Sequence, residues 1–220
     1  MDETILFDLD GTLTDPKEGI TRCVQYALES FGICEPELSR LECFIGPPLK
    51  EQFMEYAGLS GKEADLAVEK YRERFQPTGM FENRVYDGIP QMLESLRSAG
   101  FRLAVATSKP EVFACRILEH FGLWDFFEIV VGSELSGART RKGEVILEAL
   151  CRLNTEAAHT VMVGDRMHDV LGAHEAGLFC IGVLFGYGSR QELTQAGADW
   201  VCASVRDLKA DLLHRVWERT

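Results

Sequence analysis

Long apolar runs are missing from this sequence. No stretch approaches the ~20 residues that a helix needs to span a bilayer. Met1-Asp2-Glu3 leads straight into the first apolar strand, without a basic region followed by a long apolar segment, so no signal peptide is expected. Paired cysteines are missing too. Cys23, Cys34, Cys43, Cys115, Cys151, Cys180 and Cys202 are odd in number, scattered, and never spaced C-x-x-C. That pattern suggests neither a zinc site nor a disulfide framework. Most of them fall in apolar periodic stretches, where a buried reduced thiol is expected, and the expected compartment is the cytoplasm. Positive charge is also scarce. Against 35 acids stand 23 Lys and Arg, for a net charge of −12, which argues against a nucleic acid polymer or an anionic membrane as partner. A small phosphorylated substrate is still compatible, because one metal ion and one lysine can reverse the field locally. No internal repeat and no low-complexity segment is present.

What is there begins with Ile5-Leu6-Phe7-Asp8-Leu9-Asp10-Gly11-Thr12-Leu13-Thr14-Asp15. The apolar run reads as a buried strand ending in two carboxylates one residue apart. Gly11 lets the backbone turn, so both acids fall at the carboxyl end of the strand, the edge where open α/β sheets take their ligands. Two acids this close call for a cation or a retained proton. A turn with a helix cap would use the same residue types. A calcium loop would not: counted from Asp8, the positions that need Gly and Glu hold Leu13 and Gly19.

At 220 residues the chain can bury a proper core, as one domain with an insertion or as two small domains. Asp15-Pro16-Lys17-Glu18 reads as a helix start with Asp15 at the N-cap. Ile20, Val24, Ala27, Leu28 and Phe31 then repeat at helical spacing. Leu49, Phe53, Met54 and Ala57 mark a second helix, and Ala64, Val68, Tyr71 and Phe75 a third. No convincing strand lies between Asp15 and about Val85. From Tyr86 onward strands and helices alternate: strands over Phe101–Thr107, Phe127–Gly132, Thr160–Gly164, Phe179–Leu184 and Asp199–Cys202, with helices between them. The expected fold is therefore α/β, a doubly wound, Rossmann-like parallel sheet built from residues 1–14 and 86–220 and interrupted by an α-helical domain over 15–85.

Three later stretches carry chemistry. Thr107-Ser108-Lys109-Pro110 places two hydroxyls at a strand end before a helix, a ready phosphate site, although Ser108 could equally be an N-cap. Gly164-Asp165-Arg166-Met167-His168-Asp169 puts two acids at another strand end. They would share a helix face if the helix starts at once, and hard oxygen ligands of this kind suit magnesium. His168 reads as a surface residue. Arg139-Thr140-Arg141-Lys142 is a basic cluster opening a helix. Such runs are usually solvated, but one cation beside a phosphoryl group is expected, and Lys142 is the choice.

With these motifs the sequence resembles the haloacid dehalogenase superfamily of phosphohydrolases over essentially its whole length. Asp8-Leu9-Asp10-Gly11-Thr12 matches the first motif, Thr107 the second, Lys142 the third, and Gly164-Asp165 with Asp169 the fourth. Phe44-Ile45-Gly46-Pro47-Pro48-Leu49, Arg139 to Lys142 and Gly186-Tyr187-Gly188-Ser189 resemble the phosphoglycolate phosphatase and 5′-nucleotidase-like branch. The resemblance implies Asp8 as nucleophile forming an aspartyl phosphate, Asp10 as acid and base, and Thr107, Ser108 and Lys142 as phosphate ligands. It further implies magnesium held by Asp8, Asp165, Asp169 and the carbonyl of Asp10. The helical domain would be a cap that closes over the site, with Gly46 and Pro47 reaching in to select a small phosphorylated substrate. Gly186-Tyr187-Gly188 would line the opposite wall, and Ser189 with Glu192 reads as a capping box. Asp10 argues against the dehalogenase branch, which lacks the second aspartate. A phosphomutase would share every core motif, a phosphonate hydrolase would need a Schiff-base lysine in the cap, and a silent binding module would be a degenerate member.

Overall fold

The computed structural model describes residues 3–218; Met1 and Asp2, which precede the first strand in the sequence, lie outside them. Six strands form one parallel sheet: β1 (Thr4–Phe7), β4 (Arg102–Pro110), β5 (Ile129–Ser133), β6 (Thr160–Gly164), β7 (Phe179–Val183) and β8 (Trp200–Cys202). Their order is β5-β4-β1-β6-β7-β8. The chain thus winds outward from β1 to β5, returns to β6 on the other side of β1, and winds outward again. This is a doubly wound α/β sheet with its crevice at the carboxyl ends of β4, β1 and β6. Ile5, Leu6 and Phe7 are fully buried, as a central parallel strand covered on both faces requires. On one face Leu6, Ala104 and Met162 pack with Val145, Ile146 and Ala149 of α6 (Lys142–Leu153) and Val170 and Ala173 of α7 (Met167–Glu175).

The chain divides into two compact units, one running up to Asp15 and resuming at Val85, the other spanning Pro16–Arg84. Two short strands, β2 (Thr14–Asp15) and β3 (Arg84–Val85), pair where the chain leaves and re-enters the first unit. The second unit holds α1 (Lys17–Glu29), α2 (Leu49–Ala57) and α3 (Gly61–Phe75). A Cβ on Gly19 of α1 would sit 1.9 Å from the Gly79 carbonyl oxygen, so only glycine lets these segments touch. Arg74 closes the unit with a bidentate pair to Glu82 at 2.6 and 2.9 Å. Among the described residues no helix is long and apolar enough to cross a membrane.

Several local expectations are corrected. Asp15 does not cap α1; Pro16 stands at the cap, with no side-chain cap bond, and Asp15 lies in β2, where its Oδ1 accepts from the Tyr187 hydroxyl. Ser108 caps nothing: β4 runs on through it, and Pro110 is the cap position of α5 (Glu111–His120). The reason is a bulge. Ala106 pairs with Val131 and Pro110 with Ser133, so β4 spends two more residues than β5 over the same span. Gly132 accepts the crowding, since a Cβ there would lie 2.5 Å from the Lys109 carbonyl oxygen. Ser189 does cap α8 (Arg190–Ala196), its hydroxyl accepting from the Glu192 amide at 3.1 Å. Glu192 does not return the bond, because its carboxylate is taken by Arg166 at 2.8 Å and the Met167 amide at 2.9 Å. Cys23, Cys180 and Cys202 are buried, but Cys34, Cys43 and Cys151 are exposed, so most of the thiols are not core residues.

Candidate active site

The site is assembled from three strand ends. Asp8 follows β1 directly, and its amide donates to the Val163 carbonyl of β6 at 2.9 Å. Gly11, at φ +84°, makes the turn that keeps Asp10 beside it, with the Gly11 amide donating to the Thr14 carbonyl at 2.8 Å. Thr107 and Lys109 come from the bulge of β4. Asp165 follows β6, and Asp169 stands in the first turn of α7. Asp165 precedes that helix, so the two acids do not share a helix face; they meet because the chain turns between them.

Asp8, Asp165 and Asp169 are all buried and offer oxygen atoms within 4.8 Å of one another. Lys142, 4% exposed, donates to Asp8 Oδ1 at 2.6 Å, to Asp169 Oδ1 at 2.7 Å and to the Ala106 carbonyl at 3.0 Å. All three protons of its ammonium are therefore used. Burial works against that charge, but Asp169 and Asp8 outweigh it and hold the ammonium above the usual lysine range. Asp169 is doubly engaged, since its Oδ2 accepts from the Arg166 amide at 3.0 Å. Asp165 Oδ2 accepts from the Tyr187 amide at 2.8 Å, and Asp165 Oδ1 has no hydrogen-bond partner among the described residues.

Lys109 was not singled out from the sequence, yet its ammonium lies 2.6 Å from Asp10 Oδ2 with both side chains nearly covered. It stood in view two residues after Thr107, and in the structure it lies on the bulge of β4 with its ammonium on Asp10. The side chain of Asp10 is thus spoken for by a lysine and does not belong to the acidic triad. Thr107 is buried, and its Oγ1 accepts from the Lys109 amide at 3.3 Å. The Ser108 carbonyl accepts from the Ser133 hydroxyl at 2.8 Å. His168 is exposed. Gly46, at φ +105°, and Pro47 belong to the helical unit, in the turn leading to α2.

The electrostatics favour a divalent cation. Four carboxylates (Asp8, Asp10, Asp165, Asp169) face two ammonium groups (Lys109, Lys142), which leaves two negative charges uncompensated. Burial raises Asp165 well above the usual carboxylate range, and Asp169 and Asp8 add to the rise. Burial also raises Asp169 against the pull of Lys142, and Asp10 against the pull of Lys109. Hard oxygen donors, an Asp165 Oδ1 without a hydrogen-bond partner among the described residues, and the excess negative charge fit a divalent cation at Asp8, Asp165 and Asp169.

The model of the haloacid dehalogenase-like hydrolases matches residues 5–183, which include every one of these side chains. The chain belongs to that family. A 5′-nucleotidase of Pseudomonas aeruginosa is 54% identical over 205 residues, covering 93% of each chain. The tyrosine-protein kinase PtkA of Mycobacterium tuberculosis is 42% identical over 186 residues, which are 84% of this chain and 63% of that protein, so this hydrolase spans under two thirds of it. A solved structure described as a predicted phosphatase from Clostridium acetobutylicum superposes with a TM-score of 0.94 at 48% identity, covering 97% of this chain and 99% of the other. Within the family this hydrolase is an enzyme of the phosphatase type.

Proposed function

We propose that the protein is a magnesium-dependent phosphomonoester hydrolase that works through an aspartyl phosphate on Asp8. Its substrate would be a small phosphorylated metabolite, with a nucleoside 5′-monophosphate in first place. The observation that carries this reading is the convergence of Asp8, Asp165 and Asp169 on one point, with Lys142 bonded to Asp8.

Asp8 attacks phosphorus in line. The bond from phosphorus to the ester oxygen breaks, and that oxygen takes a proton from Asp10. Asp10 then accepts a proton from water, whose oxygen attacks the same phosphorus. The phosphorus bond to Asp8 breaks, its electron pair returns to the carboxylate, and inorganic phosphate leaves. Burial suits Asp10 to this exchange, because it raises the carboxyl group above its usual range against the pull of Lys109, so that it keeps a proton to higher pH. Lys142 holds Asp8 in the attacking geometry, and its charge, rather than a free N–H, offsets charge on the phosphoryl oxygens, whose ligands would be Thr107 and Ser108. Magnesium, held by Asp8, Asp165, Asp169 and the Asp10 carbonyl, would neutralise the repulsion between the nucleophile and an anionic phosphate.

The 54% identity to a 5′-nucleotidase supports placing a nucleotide first. The helical unit serves as the cap in this reading, with Gly46 and Pro47 choosing the leaving group. No disulfide joins any of the cysteines, all of which are among the described residues, and in this reading that suits a reducing compartment and a cytoplasmic enzyme. The test is phosphate release from nucleoside monophosphates, phosphoglycolate and sugar phosphates, with magnesium and with chelator, beside Asp8→Asn. Magnesium-dependent release that the variant loses is expected. Turnover of none of them by folded, metal-loaded protein would overturn the hydrolase reading, and an isomerised phosphate ester would turn it into a mutase.

A further inference from the structure

The two oxygens of Asp10 are not equivalent. Oδ2 lies 2.6 Å from the Lys109 ammonium, while Oδ1, also buried, has no hydrogen-bond partner among the described residues. Both ends of this pair are anchored. The Lys109 amide donates to Thr107 Oγ1 at 3.3 Å, Pro110 follows it, and the excess of β4 over β5 fixes the bulge on which it stands. Asp10 is bridged to Thr14 across the Gly11 turn. The lysine side chain is only 7% exposed, so the pair is shielded from water and hard to exchange for a solvent contact.

We propose that Lys109 is a positioning residue for Asp10, holding Oδ2 so that Oδ1 is the oxygen that carries and transfers the proton. The inference rests on Asp10 acting as acid and base. A carboxyl group turns easily about its last torsion, a broad and roughly two-fold well, so without a partner either oxygen could face the substrate. An ammonium on Oδ2 removes that ambiguity, because a proton does not settle on the oxygen that already faces a cation. Proton transfer needs hydrogen-bond reach and alignment, and a carboxyl group held in one orientation is ready for it in every encounter. Lys142 cannot take this part, since its three donors are used by Asp8, Asp169 and Ala106.

The test uses the full chain with magnesium and compares two substrates by kcat/KM. That ratio ends at transfer to Asp8 and so leaves out the later hydrolysis. One substrate is the best alkyl phosphate of the panel, whose alkoxide must be protonated to leave; the other is p-nitrophenyl phosphate, whose phenolate leaves without a proton. Lys109→Met should lower kcat/KM for the alkyl phosphate by about 10- to 100-fold and change the aryl phosphate by less than about threefold. Lys109→Arg, which keeps a cation on Oδ2, should recover part of the loss. Lys109→Gln reads the same ratio should the methionine variant not fold. Equal losses on both substrates would overturn the proposal, because Lys109 would then act on the phosphoryl group itself. Asp10→Asn is run in parallel. If it shows no leaving-group dependence, the acid–base reading of Asp10 fails; if it does and Lys109→Met does not, only the Lys109 proposal fails.

Discussion

A Cβ placed on Gly11 would lie 2.2 Å from Oδ2 of Asp165, two side chains' worth of chemistry separated by a residue that has none. Gly11 also has φ +84°, so it answers two demands: the turn that brings Asp10 back toward Asp8, and the room that Asp165 occupies. Gly11→Ala is therefore expected to cost about 1–3 kcal/mol of stability from backbone strain alone. It should lower phosphate release by about a hundredfold, because displacing Asp165 by an ångström misplaces the acidic triad. Thermal melting and initial rates check both; an alanine variant with normal kinetics would contradict the close approach.

Lys142 and Arg141 make a contrasting pair of adjacent cations. Lys142 is 4% exposed between Asp8 and Asp169, whereas Arg141 is 68% exposed beside Glu175. Lys142→Met strands two buried carboxylates, at a cost of about 3–5 kcal/mol. Activity should fall about 100- to 1,000-fold with the loss of the cation that pairs with Asp8. Arg141→Met should stay within about 0.5 kcal/mol of the parent and keep its rate. Denaturant unfolding and phosphate release on both variants test the distinction.

Binding of a divalent cation should be visible without turnover. Magnesium at about a hundredfold excess over its dissociation constant should raise the melting temperature of chelator-treated protein by about 5–10 °C. Asp165→Asn should abolish that rise. The same variant should melt no lower than the parent in chelator, because it removes a buried charge that Asp8 and Asp169 oppose. A lower melting temperature in chelator would mean that Asp165 is held by contacts other than those described.

Tyr187 joins two features of the first unit. Its amide donates to Asp165 Oδ2, and its hydroxyl donates to Asp15 at the strand from which the chain leaves that unit. Tyr187→Phe keeps the ring and the amide and removes only the second bond. A loss of about 1–2 kcal/mol is expected, together with faster hydrogen exchange of the amides around residues 14–17. The response to magnesium should persist. Protection unchanged in that segment would show that β2 is held without the hydroxyl.

The opening strand, the helical block and the alternating strands and helices were legible because each is written in local periodicity. Ile5 to Phe7 announce a strand buried on both faces, and Asp8, Asp165 and Thr107 stand where such strands end. Lys142 was legible more narrowly, as one lysine among the neighbours of a basic run. Asp15 misled because acid-proline-x-acid is a sound cap signature that a distant tyrosine overrode. Ser108 misled because a bulge carries β4 past the point where its apolar run stops, and a bulge depends on the partner strand β5 and on the bare backbone of Gly132.

The sequence by itself determined which chemical groups stand at the carboxyl ends of the sheet, since backbone periodicity and turn residues act within a few positions of one another. Only the tertiary structure decided who partners whom. Lys142 reaches Asp8 across 134 positions, Tyr187 reaches Asp15 across 172, and Lys109 takes Asp10 rather than solvent. Those choices are made by burial. Once water is excluded an ion needs its counter-charge within a few ångströms, and only the folded chain says which one lies there.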